Sequence, residues 1–183
     1  MAASTNWYSR WVMTSSDNKL SIRQITLFGM LGALTFGAKF AMSWLPNIEP
    51  VSLMVMVFAV TMGVKALYPI YVYALLELLV YGFGGWNLVH IYIWAPLWLA
   101  AWLLRSVRNP VFWAILSGTF GLLFGALSSL IYIPGGWAMV AAKWITGLSF
   151  DLLHCAGNFV IALILFEPVR KLVEKLYHHA DSQ

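Results

Sequence analysis

Six apolar runs follow one another between Ile22 and Phe166, each closed by prolines, glycines or a basic residue, and this succession restricts the fold more than any motif does. A helix needs about 20 apolar residues to cross the ~30 Å hydrocarbon layer of a bilayer. The runs are Ile22 to Leu45, Val51 to Met62, Leu67 to Phe83, Leu88 to Leu104, Pro110 to Ile133 and Trp137 to Phe166. The second is short for a span and needs Gly63 and Val64 to complete it or a sheltered position. The fourth carries Pro96 as an expected kink, and the sixth is long enough to tilt or protrude. The chain is 61% hydrophobic and 10% charged, against roughly 45–50% and 25% in soluble domains. These features predict an all-α integral membrane protein, a six-transmembrane-helix bundle. Its parts would be an N-terminal tail over residues 1–20, a membrane domain over 21–177 and a C-terminal tail over 178–183.

Orientation follows from the basic residues, because Lys and Arg in short loops stay cytoplasmic. In a six-span arrangement Arg10, Lys19, Arg23, Lys65, Arg105, Arg108, Arg170, Lys171 and Lys175 all fall on one side, and the opposite connections near Glu49, Asn87 and Gly135 carry none. Both termini are therefore expected in the cytoplasm. The net charge of +4 comes from residues scattered singly between apolar runs, which argues against nucleic acid. The first 20 residues lack the apolar core and cleavage site of a signal peptide. Cys155 is the single cysteine, so no disulfide forms within the chain.

The first helix carries Gly29, Ala33, Gly37 and Ala41 at a spacing of four, on one slowly drifting line. Small residues allow close backbone approach in lipid, where apolar helices gain little from burying side chains. The face wants a partner, either another helix of this chain or a separate protein. The fifth run repeats the pattern with Ser117, Gly121, Gly125 and Ser129 and should pack as tightly.

Charges inside spans are costly and mark function by default. Lys39, Glu77 and Lys143 each lie about six residues from the outer end of their run, on the order of 9 Å deep. They suggest one outward-facing polar chamber, with Asn47 and Glu49, then Trp86, Asn87 and His90, then Trp137 around its mouth. For a single tryptophan the plainer reading is the interfacial aromatic belt, and for a lysine, snorkelling. The last run adds Lys143, Gly147, Asp151, His154 and Asn158 on one face. Asp151 and His154, about 20 Å from the outer end, read as too deep for a shallow site and as structural hydrogen-bonding groups, with a proton relay as the alternative.

No GxxxxGK[ST] loop, HExxH or GxSxG motif occurs. Ser117-Gly118 with His154 resembles the pair of an intramembrane serine protease, but Ile115 stands where that motif has Gly. No catalytic residue and no metal set is assigned. The two halves do not match in helix length or motif, which argues against an inverted-repeat transporter.

The stretches "GMLGALTFGAKFAMSWLPNIEPVSLMV", "KALYPIYVYALLELLVYGFGGWN", "GLLFGALSS" and "ITGLSFDLLHCAGNFV" resemble the substrate-binding S components of energy-coupling factor (ECF) transporters, in a type recurring in Firmicutes. The resemblance covers nearly the whole chain after Leu20. It implies a capture subunit for a vitamin or related micronutrient in the plasma membrane of a Gram-positive bacterium. Its small-xxx-small stripe would dock on a transmembrane T component resting on two ATPases, which use the ATP. Ala33, Gly37 and Ala41 match that stripe, with Gly37 in place of the usual Ala. The resemblance further implies toppling to release ligand inward, a lid formed by Asn47, Ile48 and Glu49, and walls from Trp86, His90, Trp137, Lys143 and Trp144. The sequence looks closest to cobalamin-related S components, followed by those for pyridoxine or a pyrimidine precursor. The competing expectations are a membrane scaffold and a membrane enzyme acting through Asp151 and His154.

Overall fold

The structure, a computed structural model, describes residues 20–45 and 48–182; the expectations placed on the first 19 residues and on Asn47 lie outside these. Among the described residues there are seven α-helices: α1 (Ile22–Ala41), α2 (Val51–Met62), α3 (Leu67–Tyr81), α4 (Gly85–Val89), α5 (Trp94–Leu103), α6 (Pro110–Ser129) and α7 (Trp137–Asp181). Local chemistry sets several of the starts. Ser21 and Gln24 form a reciprocal capping box at α1. The Asn109 side chain accepts from Val111 N–H ahead of α6, whose first residue is Pro110.

The helices run between two ends of one bundle. At one end Gln24 donates to Asp181 at 2.6 Å, and Lys65 lies 3.6 Å from the same carboxylate. At the other, Lys39 of α1 meets Glu77 of α3 at 2.8 Å. Between α2 and α3 the chain reverses over a 3-10 turn that begins at Gly63, whose φ of 61° suits glycine. Trp98 of α5 donates to the Gly63 carbonyl and fastens this corner.

Two tight pairs flank α2, α1 with α3 running parallel and α6 with α7 antiparallel. In the α1–α3 pair Gly32 lies against Val72 and the Pro69 carbonyl, and Phe28 stacks on Tyr68 at 5.4 Å. In the α6–α7 pair Gly121 faces the His154 backbone, and a Cβ there would stand 2.7 Å from the carbonyl oxygen. The small-residue pattern of the fifth run is thus consumed within the chain, as expected. α2 is sheathed, with ten of its 12 residues buried.

Among the described residues four stretches are long and apolar enough, by length and composition, to cross a membrane: Ile22–Ala41, Val51–Tyr81, Pro110–Gly135 and Trp137–Asp181, the second by summed length only because it folds back at Gly63. They are compatible with a membrane protein, and so is the outer surface, where Leu34, Leu79 and Ile164 are all exposed. The six-span expectation is met only in part. α2 and α5, with 12 and 10 residues, reach only about 18 and 15 Å, short of the hydrocarbon thickness.

Two further expectations are corrected. The fourth run is not one kinked helix but α4 and α5 joined through irregular turns at 90–93, with Pro96 in the first turn of α5. A proline there cannot return a hydrogen bond to Tyr92, so the break falls upstream of it. α7 continues unbroken through Pro168 to Asp181 and takes in most of the expected C-terminal tail.

Candidate functional site

The residues just ahead of α2 come level with Lys39 and Glu77: Glu49 lines the same lobe as Lys39 and feels both charges. α1 closes with Met42 N–H bonded to the Ala38 carbonyl, and Ile48 N–H reaches back to the Leu45 carbonyl. Glu49 then points at α7, its Oε1 3.9 Å from His154 Nε2. That residue is 17 positions into α7, so the depth expected to exclude it from the site is the depth that the connection reaches.

A hollow with two lobes occupies this end. One lobe, about 230 Å³, is lined by Lys39, Met42, Ser43, Leu45, Ile48, Glu49, Tyr81 and His90. The other, about 320 Å³, is lined by Gly85, Val89, Gly125, Ser128, Ser129, Ile131, Tyr132, Lys143, Gly147, Phe150 and Asp151. Trp86, Phe124 and His154 border both. Phe124 meets the His154 ring edge-on at 4.8 Å and the Trp86 ring at 5.9 Å, forming an aromatic partition.

The electrostatics are set by seven ionisable groups, Lys39, Glu49, Glu77, His90, Lys143, Asp151 and His154. Glu77 is 1% exposed and held by Lys39, whose ammonium also lies 5.9 Å from the centre of the Tyr73 ring. His90 Nε2 stands 4.0 Å from the same carboxylate, and its Nδ1 faces the Trp86 carbonyl at 3.3 Å. Burial pushes the Glu49 carboxyl up to about 7, with Lys39 pulling it down and Glu77 raising it further. Asp151 accepts from Gly125 N–H at 2.9 Å through Oδ1. Trp144 approaches that carboxyl without completing a hydrogen bond, and Oδ2 has no donor. His154 Nε2 is likewise buried without a hydrogen-bond partner. Lys143 sits over the Tyr132 ring at 5.2 Å, near the mouth of the larger lobe.

The expected residues divide as follows. Lys39, Ile48, Glu49, Trp86, His90 and Lys143 line the hollow. Glu77 stands behind Lys39 rather than on the surface of either lobe, so Lys39, Glu77 and Lys143 do not share a single chamber. Asn87 turns away: its amide donates to the Tyr81 and Gly82 carbonyls and finishes α3. Trp137 is 70% exposed, lines neither lobe and fits the interfacial role of tryptophan better than a wall. Trp144 lines neither lobe, but its side chain lies against the Asp151 carboxyl at the edge of the larger one. Asp151 and His154 are in the site and are not bonded to each other.

Sequence reasoning missed Phe124, Tyr81, Tyr132 and Phe150. Phe124 adjoins Gly125, whose N–H reaches Asp151, and that neighbour on a small-residue face was the available signal.

The α1 stripe has the opposite character from that of α6. A Cβ at Gly29 or Gly37 would meet nothing within 4 Å, and Ala33, Gly37 and Ala41 are exposed. Among the described residues, no helix of this chain covers the face at Gly29 and Gly37.

No family model, no curated protein and no solved structure matches this chain.

Proposed function

We propose that this chain is the substrate-specific S component of an ECF-type transporter, capturing a vitamin or related micronutrient from outside the cell. The observation that carries the reading is the two-lobed hollow, a mostly apolar concavity with a few convergent charged groups, at the end of the bundle away from Lys65, Arg105 and Arg170. On this reading the chain passes the plasma membrane six times with both termini in the cytoplasm, the short α2 and α5 being sheltered by the longer helices. The connection carrying Ile48 and Glu49 is the lid.

The bare stripe of Gly29, Ala33, Gly37 and Ala41 supports the same reading. A smooth, unpartnered helix flank suits docking on a separate T component, and it suits a subunit that must change partners as it topples. Two partner ATPases supply the energy, and this chain hydrolyses nothing. The test is a thermal-shift screen of the purified chain over vitamins without ATP. Stabilisation by one of them is expected, and none by any would overturn the proposal. The same open stripe also fits a membrane scaffold without a ligand. That reading requires Gly37→Leu to break a complex while Glu49→Ala and Lys143→Ala change nothing.

A further inference from the structure

We infer that the hollow takes a compact, planar nitrogen heterocycle, entering with a protonated amine or ring N–H toward Asp151 and Glu49 and with an acceptor group toward Lys143. This rests on the capture reading and names its ligand class.

Size comes first. Lobes of about 320 and 230 Å³ lie at or below the lower end of the ~300–1,000 Å³ of drug-sized pockets. One or two rings fill them, whereas a corrinoid, with its macrocycle, amide arms and nucleotide loop, does not. Shape is set by aromatic walls. Trp86, Phe124, Phe150 and Tyr132 border the larger lobe, and at Gly147 open space stands where a side chain would begin. A flat ring can lie there between π-faces.

Polarity is set along α7. Lys143 and Asp151 are eight residues apart on one face, about 12 Å along the axis, with the cation near the mouth and the carboxylate at depth. Asp151 is 4% exposed, and its Oδ2 is an acceptor with no donor. His154 Nε2, 3% exposed, stands 3.9 Å from Glu49 Oε1, too far to bond it. Lys39, the other cation, is already engaged by Glu77 at 2.8 Å. The deep end of the hollow therefore presents Asp151 Oδ2 as an acceptor with no donor, with the Glu49 carboxyl on the other side of His154, and burying an acceptor without a donor is costly. A ligand donor placed there satisfies it.

The experiment measures binding to the full chain in lipid nanodiscs, using pyridoxamine and thiamine as ring-amine probes and biotin, pantothenate and cyanocobalamin as contrasts. Saturable binding of a ring amine is expected. Asp151→Asn and Glu49→Gln should each weaken it about 10- to 100-fold, the range for one hydrogen bond to a charged group. Asp151→Asn retains an acceptor for Gly125 N–H; if it nevertheless fails to fold, Glu49→Gln carries the test. Binding of a contrast compound and of no ring amine overturns the inference and leaves the capture reading standing. Binding of no compound overturns both. Ring-amine binding unchanged in a folded carboxylate variant overturns the assignment of that end.

Discussion

Lys39 on α1 and Glu77 on α3 form a 2.8 Å ion pair in which the carboxylate is 1% exposed and the ammonium 22%. Replacing Lys39 by Met leaves a buried, uncompensated carboxylate and should destabilise the protein by about 3–5 kcal/mol. Replacing both, Lys39→Met with Glu77→Leu, should restore most of that loss, because no charge then remains to be desolvated. Denaturant titration in mild detergent, run as a double-mutant cycle, reads the difference.

The glycines of α1 and α6 should respond oppositely to the same change. Gly121→Ala drives a methyl group into the His154 backbone and should cost about 1–3 kcal/mol. Gly37→Ala meets open space and should be neutral or up to about 1 kcal/mol stabilising through helix propensity. Thermal melts of the two purified variants decide this.

Glu49 gives the ligand-free protein a pH dependence of known sign. Its folded pKa of about 7 lies above the ordinary 4.5, so the folded state holds a proton that the unfolded state has released. The stabilisation it gives is complete below about pH 4.5 and is lost as pH rises to about 7, a swing on the order of 3 kcal/mol at most. Glu49→Gln should flatten that part of the profile; a melting temperature independent of pH across this window in the wild type would contradict it.

Asn158 donates to Ser52 at 2.9 Å and to the Ser117 carbonyl at 3.4 Å, joining α7 to α2 and α6. It is 1% exposed. Asn158→Leu removes these donors and should cost about 1–3 kcal/mol, measurable by denaturant titration.

How much of this was legible from the residues differs between fold and site. The helices and most of their boundaries follow from hydrophobic length and punctuation: Pro46 and Pro50 bracket the connection into α2, and Gly63 marks the reversal after it. The membership of Lys39, Glu49 and His90 in the site was readable because charged or polar groups in apolar surroundings are conspicuous. What could not be read was relative depth. Counting residues from each helix end assumes that all helices begin at one level, and α7, which has run 17 residues before it reaches Glu49, does not. That single offset brings Glu49 to His154 and turns two residues read as structural into part of the site. Pro96 misled in a related way, because whether a proline bends a helix or opens it depends on what donates to the freed carbonyl, here Ala95 N–H to the Tyr92 oxygen. Trp137 misled because aromatic side chains at an interface and around a ligand look alike in sequence.

On the proposed capture reading, the abbreviated α2 also sets how far a guest has left to go. Its 12 residues reach about 18 Å and end at the corner at Gly63, against a hydrocarbon layer of about 30 Å. A guest held against Glu49 would then have one stubby rod with its surrounding side chains left to pass.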